Sequence, residues 1–203
     1  MSNKAQITKD EIEYEGVIFD IHAQTIVIPE ADMTIHRQVM HTSDSVTIAL
    51  INQDSKILIT KEFRSAVGDF TWALPAGRVD SNEDAVIAAQ RELAEETGLL
   101  VNLEDFTQVD AVNLSEGVMN EKSYVFLVQL TDTNHSIVKQ KLDSDEYIAK
   151  SKWVTLDDAY RNTHAAATHI ALNHIQINQL KKMNVIEKGN KDKERGYYDI
   201  RNR

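Results

Sequence analysis

Apolar and polar positions alternate in short runs through the first sixty residues, the period-2 signature of half-buried strands. Residues 17–21 and 25–28 form two short apolar runs that predict a hairpin, and residues 35–40 and 45–52 follow as further strands. Asn52-Gln53-Asp54-Ser55 marks a turn into residues 56–60, where Ile57 and Ile59 alternate with their neighbours. Residues 72–74 add a last short run before the period changes. Val86, Ala89 and Leu93 then recur at helical spacing. Asp80 or Ser81 is the expected N-cap of that helix, Glu83 and Asp84 fall in its first turn, and Gly98 suits the left-handed position that ends it. Beyond it, residues 107–112, 122–130 and roughly 146–154 read as strands. Residues 156 to about 183 read as mainly helical, with Thr155 or Asp157 near the start. Strands on both sides of one helix, closed by a last helical stretch, predict an α/β fold with a mixed sheet between helices.

Composition narrows the class. A chain of 203 residues, 42% hydrophobic, can bury one substantial core. It has no cysteine, which removes disulfides and thiolate metal sites. The apolar runs fall far short of the ~18 residues of a membrane helix, and the opening MSNKAQITKDEIEYEG has no apolar centre for a signal peptide, so a cytoplasmic location is expected. A net charge of −10 argues against nucleic acid as the main partner. Residues 181–203 run the other way, with eight Lys/Arg against four Asp/Glu, and read as a solvated basic tail.

The candidate chemistry lies in residues 77–99, GRVDSNEDAVIAAQRELAEETGL. A helix turns about 100° per residue, so Glu92, Glu95 and Glu96 share an arc of roughly 100°. Like charges so placed destabilise an isolated helix by a few tenths of a kcal/mol per pair. A solvated acidic face tolerates that repulsion, and a bound divalent cation offsets it, since hard cations prefer carboxylate oxygens. Ala85 and Ala88 lie on the carboxylate side, where an ordinary salt-bridged surface would carry Lys or Arg, and leave room for a ligand. Arg91 can fix a carboxylate with its bidentate fork. The histidines show no zinc spacing: His36 and His41 read as structural, and His164, His169 and His174 run i,i+5,i+10 rather than i,i+4.

Gly77, Glu83, Arg91, Glu92, Leu93, Glu95, Glu96, Gly98 and Leu99 match every fixed position of the Nudix box, G-x5-E-x7-R-E-U-x-E-E-x-G-U, where U is aliphatic. The chain therefore resembles the Nudix hydrolases. Residues 36–41 leading into 45–50, Glu62-Phe63-Arg64, Leu74-Pro75-Ala76-Gly77 and, more faintly, Tyr14-Glu15-Gly16 with Phe19-Asp20 resemble the ADP-ribose pyrophosphatase-like subfamily. The resemblance implies the Nudix α/β/α sandwich over residues 44–183. It implies an N-terminal β segment, residues 1–43, that builds a homodimer and completes the substrate pocket. Residues 184–203 remain as a basic tail.

The same resemblance implies Mg²⁺-dependent hydrolysis of a nucleoside diphosphate linked to another group, with Mn²⁺ as a possible substitute. ADP-ribose, cleaved to AMP and ribose 5-phosphate, is the leading substrate. Glu92, Glu95, Glu96 and the Ala76 carbonyl are the implied metal ligands. Glu83 is expected to orient Arg91 or a metal-bound water rather than to ligate the metal itself. The general base is expected at Glu146 in the acidic stretch 143–146, with Asp145 second and Glu95 the alternative. Arg64, with Arg37 and Glu121, is expected to bind substrate, and Phe63 and Trp72 to pack in the core.

Two departures bear on the substrate. ADP-ribose pyrophosphatases typically carry Glu before the Leu-Pro-Ala-Gly turn, where this chain has Ala73. They also tend to have a proline in the loop after the box, where this chain has Ser115-Glu116-Gly117. Another sugar nucleotide, a dinucleotide or a nucleoside triphosphate are the alternative substrates, and a non-catalytic nucleotide sensor is the alternative from a different class.

Overall fold

A computed structural model describes residues 4–142 and 147–182. Strands β1 (Gln6–Tyr14), β2 (Phe19–Ile28) and β3 (Met33–Thr42) form an antiparallel sheet in that order. Strands β4 (Ser45–Ile51), β5 (Ile57–Arg64), β6 (Asp69–Ala73) and β7 (Ala76–Arg78) lead into helix α1 (Ala85–Thr97). After α1 come β8 (Leu99–Val101), β9 (Phe106–Asn113), β10 (Lys122–Gln129), β11 (His135–Ile137) and β12 (Ile148–Val154). Helices α2 (Leu156–Asn162) and α3 (Ala166–Lys182) follow.

The central sheet runs β12-β5-β4-β10-β9, with β6 added to β5 and β7 to β4. Among the described strands of this sheet only β4 and β10 pair in parallel, so the sheet is mixed, as the order of elements predicted. The run Val46-Thr47-Ile48-Ala49-Leu50 is buried throughout because β4 is covered on both faces. Val46, Ile48 and Leu50 pack with Ala88, Ala89 and Leu93 of α1. Ala49 turns the other way, to Leu172 and Ile175 of α3. The molecule is thus an α/β/α sandwich, and the two periods of the sequence meet at one buried strand. Among the described residues no helix is long and apolar enough to cross a membrane.

Three predicted boundaries differ. Residues 17–28 do not fold as a hairpin: residues 19–28 are one strand, and the chain turns instead at Pro29–Asp32, where Asp32 adopts φ 46°. Nothing between Ile21 and Thr25 favours a turn, since His22-Ala23-Gln24 has neither glycine nor proline. The helix of the box starts later than Asp80 or Ser81. Asn82 is left-handed (φ 65°) and Asp84 is the extended flanking residue, so Glu83 lies outside the helix. The final helical stretch is broken at Thr163, which is extended and fully buried, donates its hydroxyl to the Ala159 carbonyl and bridges to Trp72. Thr155 caps α2 by accepting from the Asp158 amide at 3.2 Å.

Candidate active site

Helix α1 carries the carboxylates, and its ends are firmly set. Gly98 closes it at φ 75°, donating to the Ala94 carbonyl. The chain after β11 satisfies the next carbonyls: Lys141 donates its amide to Glu95 O at 3.2 Å, Gln140 its side-chain amide to Glu96 O, and Val138 its amide to Gly98 O. The turn that bears Glu95 and Glu96 is therefore held from outside the helix.

Glu92 and Glu96 are 6% and 3% exposed, unusual for glutamates and unlike a solvated face. Gly77 explains how Glu92 is seated. A Cβ added at Gly77 would fall inside the Glu92 carboxylate, so strand and carboxylate approach only because residue 77 is glycine. Flanking β7, Pro75 accepts from the Ile48 amide of β4, and Val79 donates to the carbonyl of Asp44, just before β4. In an antiparallel ladder the intervening residues face the opposite way. The Arg78 carbonyl accordingly accepts from Arg91 of α1 at 2.8 Å, and Ala76, two residues earlier, has the same orientation. The oxygens on this side of α1 are carboxylates, with the β7 backbone against Glu92. Such a set fits a hard divalent cation.

Arg91 organises this group. Its Nε and Nη2 donate to the two oxygens of Glu83 at 3.0 and 2.9 Å, a fork-to-fork pair. Its Nη1 donates to Glu92 at 2.8 Å and to Glu95 at 3.3 Å. The fork, helped by the Asp80 amide, holds the Glu83 carboxyl below its usual range, and Glu83, then Glu92, raise the Arg91 guanidinium further above its own. Glu83 thus holds Arg91, the first of the two parts expected of it.

Beside this ridge lies a cleft of about 340 Å³ lined by Arg64, Ala76, Gly77, Glu121, Thr47 and Ser123, and by the start of α3. Arg64 lines it while pairing with Glu62 at 2.7 Å. Arg37 is elsewhere: on β3 it donates to the His36 carbonyl and borders a separate depression on the N-terminal sheet with Lys9, Glu11 and Gln24. Glu146 and Asp145 lie outside the described residues. Phe63 is not in the core; it is 47% exposed and meets Phe70 edge-on at 5.4 Å. Trp72 is half-buried under Lys152, whose Nζ stands 4.2 Å from the ring centroid. His169 and His174 are half-buried and partnered, by Thr163 O and Asp110 respectively.

The model of the NUDIX domain matches residues 41–173, well over half of the chain. This chain belongs to the Nudix hydrolase family. A Bacillus subtilis ADP-ribose pyrophosphatase is 28% identical to this hydrolase over 155 residues, 76% of this chain and 80% of that one. The methanol dehydrogenase activator of Bacillus methanolicus is 24% identical over 151 residues, covering 74% and 78%. A crystal structure of an ADP compounds hydrolase superposes with a TM-score of 0.73 at 17% identity, over 89% of this chain and 96% of the other, which is likeness of fold.

Sequence reasoning overlooked two groups in the hydrolase's cleft. Thr47 and Ser123 are 4% and 0% exposed, with hydroxyl oxygens 3.4 Å apart. Thr47 interrupts the apolar run of β4, and that was the signal available for it; Ser123 follows the exposed Lys122 at the start of β10 and carried no such signal.

Proposed function

We propose that this Nudix hydrolase cleaves ADP-ribose, or a closely related nucleoside diphosphate conjugate, to AMP and a sugar phosphate. The seating of the buried Glu92 carboxylate against Gly77, itself a lining residue of the cleft, carries the reading. The likeness to an ADP-ribose pyrophosphatase over three quarters of the chain supports the substrate class.

Glu92, Glu95, Glu96 and the Ala76 carbonyl would hold Mg²⁺, or Mn²⁺ in its place. When bound, that ion neutralises phosphate charge and lowers the pKa of water. The chain's own residues do the rest. Arg91, locked by Glu83, holds Glu92 and Glu95 in register. Arg64 exchanges its contact with Glu62 for phosphate oxygens, which its planar fork matches. Glu121, another lining residue of the cleft, orients the substrate. Water adds to one phosphorus, the anhydride P–O bond breaks, and each product leaves as a phosphomonoester. Glu146 takes the proton from that water, with Glu95 the alternative base.

The N-terminal sheet exposes Ile7, Ile12, Tyr14 and Met33, an apolar set suited to a second copy of the chain. A homodimer through this sheet would carry Arg37 to the partner's cleft. The protein works in the cytoplasm on this reading.

A panel of nucleotide conjugates incubated with Mg²⁺ and resolved by product tests the assignment. AMP plus ribose 5-phosphate from ADP-ribose is the expected result. Intact ADP-ribose alongside cleaved sugar nucleotides, dinucleotides or triphosphates would reassign the substrate. Ala73, buried in β6 with no carboxylate to offer, is the reason to include those competitors.

A further inference from the structure

A second group of metal-binding side chains lies far along the chain from the glutamate helix. Asp10 of β1 stands opposite Gln24, and His41 of β3 opposite Asp20; each is two residues along β2 from His22. All three side chains therefore project from one face of the N-terminal sheet. His22 Nδ1 is 2.7 Å from Asp10 Oδ1, and the rings of His22 and His41 stack with centroids 3.7 Å apart and planes within 7°. One ligand atom from each residue lies within 4.8 Å of the other two. Gln24 Nε2 donates to the second Asp10 oxygen at 2.9 Å and fixes how the carboxylate faces the histidines.

This donor set differs in kind from that of α1. Two imidazoles and one carboxylate suit borderline ions such as Zn²⁺, whereas Mg²⁺ prefers oxygen alone. We propose that Asp10, His22 and His41 form a transition-metal site that takes Zn²⁺ in preference to Mg²⁺ and pins the three N-terminal strands together. The ion takes the place of the proton shared by His22 Nδ1 and Asp10 Oδ1. Tetrahedral ligands at about 2.0–2.1 Å from zinc stand about 3.3 Å apart, so that 2.7 Å contact opens slightly on binding. An ion sits near the plane of each imidazole, so the His41 ring turns out of the stack. No hydrogen bond to a described residue restrains that ring. Three protein ligands leave a fourth position for water. Gln24, through its bond to Asp10, is a positioning residue of the kind that commonly supports metal ligands.

The test is calorimetric titration of the full-length protein with Zn²⁺ in excess Mg²⁺, which keeps the α1 carboxylates occupied. Saturable binding of one Zn²⁺ per chain is expected, with a rise in Tm from ligand linkage. Co²⁺ in its place should give the visible absorption of a nitrogen-liganded tetrahedral centre. His22→Gln/His41→Gln and, separately, Asp10→Asn should weaken Zn²⁺ binding by about tenfold or more. Glu92→Gln/Glu96→Gln should leave it intact. Absence of saturable binding in excess Mg²⁺, binding that survives both N-terminal variants, or binding lost only in the glutamate variant would overturn the site. Should the histidine double variant fail to fold, Asp10→Asn, a change of similar shape at an exposed position, decides alone. None of these readouts depends on which conjugate the Nudix site hydrolyses.

Discussion

Gly77→Ala isolates the contact on which the proposed metal geometry depends. The new methyl group would overlap all three atoms of the Glu92 carboxyl group, and ordinary van der Waals contact is restored only if strand and carboxylate part by roughly 1.5 Å. Two consequences follow with separate magnitudes. Overpacking of this order destabilises a fold by about 1–3 kcal/mol, which for a chain of this size lowers Tm by roughly 2–12 °C. Displacing a catalytic group by about 1 Å lowers turnover by about 100-fold, or about 2.7 kcal/mol of barrier. The assay is release of AMP from ADP-ribose followed across a Mg²⁺ titration, with Tm measured on the same preparation. Neither Glu96 nor the Arg91–Glu83 fork meets the new methyl group, so the expected variant is folded, slow and in need of more Mg²⁺ for half-maximal rate. A Gly77→Ala protein that kept its rate within about twofold at limiting Mg²⁺ would refute the claim that the β7 approach positions Glu92.

Glu96→Gln should lower kcat by orders of magnitude while leaving Tm nearly unchanged, since it removes a ligand rather than core volume; unchanged turnover would remove Glu96 from the site. Arg64→Lys should raise KM more than it lowers kcat, because a point charge replaces a bidentate fork; steady-state kinetics showing a fall in kcat alone would remove the phosphate-binding role. Glu83 has a folded pKa below its reference of 4.5, so its pairing with Arg91 stabilises the protein fully above that pH and is lost as pH falls through the folded value. Glu83→Gln should therefore be about 2 kcal/mol less stable at pH 7, a gap that closes on acidification past pH 4.5; denaturant melts across pH in Mg²⁺-free buffer measure it. Leu93→Ala, at a fully buried position between α1 and the sheet, should cost about 3 kcal/mol, or roughly 6–12 °C in Tm by calorimetry.

The parts of this molecule legible in the sequence are those whose physics is local. The nine fixed positions of the box span little more than one helix and its flanks, so spacing alone places the carboxylates on one face. Strand β4 is legible because burial on both faces leaves a near-continuous apolar run. Strand β1 was missed because every residue in it is exposed: QITKDEIEY is an edge strand whose charges hide its alternation. The break at Thr163 is a tertiary effect, set by its bridge to Trp72 ninety residues earlier in the chain. The approach of His22 to His41 depends on the register of β2 against β3, which no short motif encodes. Arg37 shows the same limit, for its place on β3 is legible but its distance from the cleft is not.

The three bonds from residues 138–141 to the end of α1 have a consequence for how this enzyme tolerates change. Helix ends ordinarily fray, and Glu95 and Glu96 occupy the last turn. The connector after β11 acts as a splint there, supplied from some forty-five positions downstream. Shortening or nicking it would leave every glutamate in place and still loosen the platform on which they stand. Amide exchange at residues 97–99 would register that loosening before any change in the sheet.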